Sequence, residues 1–80
     1  MLISIYSLKK VLYEGEAESL NCKTMDGEIT ILDHHRPLIS ILQQGIIKIL
    51  DEEKREHYIP VENGFLEVSS GNRVKLIVGA

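Results

Sequence analysis

The sequence predicts a small all-β domain, either a sandwich or a barrel. Short apolar segments recur along the chain, and a turn signal separates them at intervals of about eight to twelve residues. Several segments alternate apolar and polar side chains, which is the two-residue period of a strand with one buried face. No segment shows an unambiguous helical period. These three observations are typical of small all-β folds.

The first two predicted strands are short. Residues 2–7 alternate in part, with Ile3 and Ile5 on one face, which predicts a strand with one buried side. Residues 11–13 form a second apolar segment, which Gly15 closes.

A hairpin is predicted across residues 17–32, because Asp26 and Gly27 form a strong turn signal in its middle. A proline at the end of residues 33–37 lacks an amide hydrogen and restricts the residue before it, so this segment should be a loop. Residues 38–42 are the next predicted strand. Their apolar side chains on both faces indicate a core on one side and either a partner or the chain's own loops on the other.

Two interpretations compete for residues 46–56. Several apolar residues there fall at helical spacing, and the glutamates that follow are good helix formers. We prefer a hairpin with a charged tip, because Pro60 and a β-rich segment follow closely and a helix here would have no paired neighbour.

The remaining turn signals predict the last strands. Asn63 and Gly64 are a strong hairpin signal, and the turn at residues 70–72 should join strands at residues 65–68 and 73–78.

Length and charge limit the possible functions. Eighty residues, 44% of them hydrophobic, predict one domain spanning residues 1–80. A net charge of −3 argues against nucleic acid, because phosphates are neutralised by clustered Lys and Arg. Cys22 is the single cysteine, so it cannot form an intrachain disulfide and is expected to be a small buried hydrophobe.

The candidate chemical groups are few. His34, His35, His57 and Asp33 are residue types that bind zinc, but neighbouring side chains on an extended chain point to opposite faces and do not converge. The serines lie in no nucleophile elbow, and no glycine-rich phosphate loop is present. We therefore expect no enzyme activity, no metal and no cofactor, and interpret the loop histidines as part of a subunit contact.

Five short stretches of the sequence occur in a distinctive order along the chain. They are Glu14-Gly15-Glu16, then Asp26 to Leu32 with His35 and Pro37-Leu38, then Leu42 with Gly45 to Ile49, then Gly64 to Val68, and last Asn72-Arg73-Val74. Together they strongly resemble the amino-terminal domain of the F-type ATP synthase epsilon subunit, over residues 2–78. The resemblance implies a flattened β-sandwich of about ten short strands.

The resemblance also implies a function and partners. In that family the sandwich lies at the foot of the central stalk, binding the gamma subunit with one side and the polar loops of the c-ring with its lower edge. It performs no chemistry, and it supports the coupling of ion-driven rotation to ATP synthesis. Its contact with the membrane is only indirect, through the c-ring, so it would be a peripheral protein on the cytoplasmic face of the cell membrane.

The family's contact positions carry over to individual residues of this chain. The c-ring contact corresponds to Asp26 and Glu28. The gamma contact corresponds to Ser7, His35, Pro37, Leu38 and Ser40. Asp33, His34 and Arg36 are bulkier and more charged than the residues that family members usually have there.

Some alternatives stay open. The carboxyl-terminal helical hairpin of typical family members is not encoded in these 80 residues, which fits a short subunit or a part of a longer one. A second hypothesis is a free-standing protein-binding adaptor that uses the altered loop. A third is a small metal-dependent enzyme that uses His34, His35 and His57.

Overall fold

The computed structural model describes residues 1–79, which form eight β-strands and no helix. The strands are β1 (Leu2–Tyr6), β2 (Val11–Thr24), β3 (Gly27–Leu32), β4 (Leu38–Leu42), β5 (Gly45–Asp51), β6 (Glu56–Val61), β7 (Asn63–Ser69) and β8 (Arg73–Gly79). The predicted all-β class is confirmed. There are eight strands rather than about ten in this range, and one reason is that β2 continues through Gly15, where the sequence predicted a break. The described residues thus include no helical segment that could cross a membrane.

The strands form two layers that share β2. Residues 11–16 of β2 pair with β1, and the order then continues through β8 and β7 to β4, which we call the first layer. The later part of β2 pairs with β3 on one side and β5 on the other, and β6 follows β5; we call this the second layer. A register shift between Ala17 and Ser19 marks the bulge where β2 passes between layers.

The core lies between the two layers and collects the inward side chains of the alternating strands. Ile3 and Ile5 are fully buried, as predicted from the period of residues 2–7. Leu20 and Cys22 are also buried, and burial raises the pKa of the Cys22 thiol to about 11, so the thiol stays protonated at neutral pH. The other buried apolar residues are Met1, Ala17, Ile31, Leu42, Ile47, Ile49, Val61, Leu66, Val68, Val74, Leu76 and Val78.

Most predicted turns are confirmed. β2 and β3 form the hairpin predicted at residues 17–32, and residues 70–72 connect β7 to β8. Residues 46–56 belong to the β5–β6 hairpin and not to a helix. Its charged tip is stabilised by Asp51, whose Oδ1 accepts hydrogen bonds from the backbone N–H groups of Glu53 and Arg55, both at 2.9 Å.

The predicted hairpin at Asn63 and Gly64 is wrong. Both residues lie inside β7, because β6 and β7 belong to different layers and the chain crosses between them near Glu62. Gly64 is required there for a different reason. A Cβ on Gly64 would lie 2.4 Å from the carbonyl oxygen of Ile77, so only glycine lets β7 approach β8 this closely.

Candidate docking surfaces

The outward side of the first layer carries four large, exposed apolar side chains. Ile39 is 76% exposed, Phe65 57%, Ile41 52% and Ile77 50%. Ile41 pairs with Phe65, and Phe65 pairs with Ile77, so these three side chains form a row across β4, β7 and β8. We call Ile39, Ile41, Phe65 and Ile77 the apolar outer face. Polar residues normally occupy such outward positions, so this surface is a candidate for contact with another protein.

The apolar outer face extends toward β1 and is bordered by charge. Ile77 is in register with Tyr6, which continues the row onto the next strand. The adjacent outward row contains Glu67 and Lys75, which pair with each other across β7 and β8. An apolar centre with a charged margin is the usual anatomy of a protein interface.

The outward side of the second layer is different in character. A polar row of Thr30, Asn21, Lys48 and Tyr58 crosses four strands in register. The Asn21 side-chain amide donates to Thr30 Oγ1 at 2.9 Å, and Lys48 Nζ lies 2.9 Å from a carboxylate oxygen of Glu56. Hydrogen bonds and ion pairs between neighbouring strands therefore satisfy polar groups of this row without a partner, while Leu32 and Ile46 on the same side are exposed.

The β2–β3 turn presents the two predicted c-ring residues. Thr24 is buried, and its hydroxyl donates to the carbonyl of Gly27 at 2.8 Å and accepts from the N–H of Asp26 at 3.1 Å. These bonds fix the turn, and Asp26 and Glu28 are both exposed beside it. Met25 N–H donates to the carbonyl of Ile41 at 2.9 Å, which attaches the turn to the end of β4 in the first layer.

The loop at residues 33–37 is held at its start by a polar network. Asp33 Oδ1 lies 2.6 Å from the amino group of Met1 and accepts from the side-chain amide of Asn72 at 3.2 Å. These two hydrogen bonds lower the pKa of Asp33. Asn72 Oδ1 also accepts from the N–H of His34 at 2.7 Å, and His34 and Asn72 both have positive φ. The β7–β8 turn therefore sets the conformation from which the loop departs.

The amino group of Met1 is part of this network. It also donates to the carbonyl of Ala17 at 3.0 Å and lies 3.5 Å from Glu16 Oε1. Burial opposes its positive charge, but the hydrogen bond and the charges of Asp33 and Glu16 outweigh that effect and raise the pKa of the amino group.

The structure separates the residues predicted to contact gamma. Ser7 follows the end of β1, where its Oγ accepts from the N–H groups of Lys9 and Lys10. β8 and β7 lie between β1 and β4, so Ser7 is about 14 Å across the layer from β4, at about 4.8 Å per strand. His35 and Pro37 lie at the other end, next to the start of β4.

Leu38 and Ser40 lie on the inward side of β4. Leu38 pairs with Val68 and Ser40 pairs with Leu66, and both partners are buried in the core. Because directly paired residues point to the same face, the side chains of Leu38 and Ser40 point inward and are half-buried at the edge of the layer.

Sequence reasoning missed two members of the apolar outer face, Phe65 and Ile77. A signal for them exists in the sequence. Leu76-Ile77-Val78 and Phe65-Leu66 place apolar residues next to one another in strands, so at least one of each set must point outward. Local sequence does not reveal that Phe65 and Ile77 are neighbours of Ile41, because their strands are paired only in the fold.

The histidines do not form a metal site in residues 1–79. His57 Nε2 lies 2.8 Å from Asp51 Oδ2, and its ring meets the ring of Tyr13 edge-on, with centroids 5.1 Å apart. His35 Nδ1 lies 2.7 Å from the carbonyl oxygen of Arg36. Across that range, no group of three or more His, Cys, Asp or Glu side chains is placed to hold a metal ion.

The sequence of this chain is similar to those of known proteins. The whole chain, residues 1–80, matches the family described as ATP synthase, Delta/Epsilon chain, beta-sandwich domain. It is 39% identical over 75 residues to an ATP synthase epsilon chain of Leptospira borgpetersenii, covering 94% of this chain and 58% of that relative. It is 40% identical over 68 residues to an ATP synthase epsilon chain of Acinetobacter baumannii, covering 85% of this chain and 49% of the relative. The chain therefore spans about half the length of the relatives it matches.

Solved structures share the fold. One chain of a Euglena gracilis mitochondrial ATP synthase structure, described as OSCP/F1/c-ring in rotational state 1, superposes on all of this chain with a TM-score of 0.94 at 16% identity. A chain from the central stalk/c-ring structure of the Tetrahymena thermophila mitochondrial ATP synthase gives a TM-score of 0.84 at 15% identity. This chain covers 51% and 63% of those two chains. At these identities the likeness is one of fold.

Proposed function

This chain belongs to the ATP synthase Delta/Epsilon chain beta-sandwich domain family, and from that membership we propose that it is a central-stalk subunit of an F-type ATP synthase. It docks on the gamma subunit and on the c-ring, and it supports the coupling of ion-driven rotation to ATP synthesis. It carries out no catalysis and uses no cofactor. Residues 1–80 act as one domain, which reaches the cytoplasmic face of the cell membrane only through the c-ring.

The observation that carries the proposal is the apolar outer face. Ile41, Phe65 and Ile77 lie side by side on three strands and leave a contiguous apolar row in water. Such a surface is unfavourable in a free monomer, and burying it against a partner is stabilising. We assign this face to gamma.

The other proposed contacts surround this face. His35, Pro37, Leu38 and Ser40 contact gamma from the loop and the edge of β4, and Ser7 marks a second, separate contact at the far end of β1. Asp26 and Glu28 face the basic residues of the c-ring loops from the β2–β3 turn. An exposed charge pair of this kind contributes about 1 kcal/mol or less, so the turn sets orientation more than affinity.

The proposal is tested by size-exclusion chromatography with gamma from the same organism. Two variants are compared, and each replaces an exposed isoleucine by glutamate, one in each layer. Ile41→Glu puts a charge in the apolar outer face and should abolish co-elution with gamma. Ile46→Glu makes the same change on the outward side of the second layer, at a position that is 57% exposed, and should co-elute like the natural chain.

Two results would contradict the proposal. If the natural chain and gamma elute separately at micromolar concentrations, the rotor assignment fails and a free-standing adaptor becomes the better interpretation. If Ile46→Glu disrupts the complex and Ile41→Glu does not, the gamma contact lies on the second layer.

A further inference from the structure

The two layers have four open edges, and β4 differs from the other three. The open edge strands are residues 11–16 of β2, then β3, β6 and β4, which pairs with β2 only at Leu42. Open edges can pair with other chains, and proteins usually protect them with charged residues or proline. Within residues 1–79 the first three edges each contain a glutamate, and β6 also contains Pro60. The sequence of β4, Leu-Ile-Ser-Ile-Leu, contains neither a charge nor a proline.

The direction of the backbone groups in β4 follows from two hydrogen bonds. The carbonyl of Ile41 accepts from Met25 N–H, and the N–H of Gln43 donates to the carbonyl of Lys23, both at 2.9 Å and both on the side away from β7. Backbone groups alternate in direction along a strand, so those of Ile39 and the N–H of Ile41 also point away from β7. The backbone pairing of residues 1–79 supplies no partner for these three groups.

We infer that the open edge of β4 receives an extended segment of the docking partner as an added β-strand. The pairing of β4 with β2 at Thr24 and Leu42 already begins a ladder along this edge, and the added strand continues it toward Leu38. Main-chain hydrogen bonds supply the attachment, and the side chains supply the specificity. The inference rests on the proposed docking function and names the binding mode on gamma.

The chemistry of the incoming strand follows from the two sides of β4. Its outward side chains lie beside Ile39 and Ile41, so apolar residues there extend the apolar outer face. Its inward side chains lie beside Leu38 and Ser40, which are half-buried, so these must be small or apolar. The partner segment is therefore an uncharged, extended stretch without proline at the paired positions. This mode also lets Leu38 and Ser40 contact a partner although they point inward.

Amide hydrogen exchange measured by NMR, free and with gamma from the same organism, tests the inference. In the free chain the amides of Ile39 and Ile41 should exchange fast, and those of Ser40 and Leu42, which face β7, should exchange slowly. Adding gamma should slow the exchange of the Ile39 and Ile41 amides about tenfold or more, and the exchange of the Ser40 and Leu42 amides should stay slow.

A pair of variants gives an independent readout. Ile39→Pro removes the donor at the open edge, where proline is tolerated, and should weaken the affinity for gamma about tenfold. Ile39→Val keeps both the donor and the β-branched apolar side chain, and it should bind like the natural chain. Slow exchange at Ser40 and Leu42 in the proline variant shows that β4 remains paired with β7.

The outcomes separate this inference from the proposed function. If a complex forms while the amides of Ile39 and Ile41 stay fast and Ile39→Pro binds as well as Ile39→Val, strand addition is wrong and docking through the apolar outer face remains. If no complex with gamma forms, both ideas fail together.

Discussion

The outward sides of the two layers are built on the same alternation, but the rows at their centres differ. In the first layer, Ile41, Phe65 and Ile77 form an apolar row, whereas the matching row of the second layer contains Thr30, Asn21, Lys48 and Tyr58. The inward positions of both layers are mostly apolar and buried. The difference is therefore not needed to form the core, and it is what the proposed contact of the first layer with a partner would require.

The largest expected effect distinguishes the two sides of one strand in the first layer. Leu66 is fully buried, so Leu66→Ala should lower the free energy of unfolding by about 2–5 kcal/mol. Phe65→Ala, at the adjacent outward position, should change it by no more than about 0.5 kcal/mol. Urea denaturation of both variants measures this. A large loss for Phe65→Ala would mean that the apolar outer face serves folding, and the contrast between the layers would lose its functional meaning.

A smaller effect is expected from a glycine in each layer. Gly64→Ala should destabilise the fold by about 1–3 kcal/mol, because the new Cβ would lie 2.4 Å from the backbone oxygen of Ile77. Gly45→Ala is the control in the second layer, where the nearest atom is the flexible Lys23 Cδ at 3.3 Å. It should cost about 1 kcal/mol or less. Equal losses in thermal denaturation would show that β7 and β8 can move apart at little cost.

An asparagine in each layer gives the third comparison. Asn72→Ala loses the hydrogen bonds to His34 and Asp33 and leaves alanine at a φ of 59°, so it should cost about 1–2 kcal/mol. Asn21→Ala loses one exposed bond to Thr30 and should cost about 0.5 kcal/mol or less. The His34 amide should also exchange faster in Asn72→Ala. If its exchange is unchanged, Asn72 does not hold the loop at residues 33–37.

The smallest effect is one of pH and concerns the second layer. The hydrogen bond from His57, together with backbone N–H groups, lowers the pKa of Asp51 below its ordinary value near 3.9. A carboxyl group with a lowered pKa in the folded state stabilises the fold above the unfolded value, and that stabilisation is lost as the pH falls through the folded pKa. Asp51→Asn should therefore lower the melting temperature at pH 7, with a difference that shrinks below about pH 4.

The same pH series on Asp33→Asn provides a counterpart in the loop between the two layers, because the pKa of Asp33 is also lowered. If the melting curves of Asp51→Asn and the natural chain stay parallel from pH 7 to pH 2, the Asp51–His57 contact contributes nothing to folding.

The sequence predicted what depends on local geometry. Alternation predicted the burial of Ile3 and Ile5, and turn chemistry predicted the hairpin at Asp26-Gly27. The hairpin predicted at Gly64 was wrong because glycine occurs both in turns and where two strands approach closely. The sequence alone does not distinguish these two uses.

The candidate surfaces depend on which strands become neighbours, and this could not be predicted locally. Ile41, Phe65 and Ile77 meet only because β4, β7 and β8 are adjacent. For the same reason, the residues predicted to contact gamma lie in two separate places, with Ser7 at one end of β1 and His35 beside β4.

The position of β1 in the sheet affects how the chain folds while it is being synthesised. β1 lies between β2 and β8, and its parallel pairing joins Leu2 to Arg73 and Tyr6 to Ile77. As the chain leaves the ribosome, β1 can pair with β2 early, but its other edge stays open until β8 has emerged. Closing such a distant pair is slow, so the nascent polypeptide exposes this edge of β1 at least until β8 has emerged. Chaperone binding to ribosome-bound chains truncated before Arg73 would report this interval.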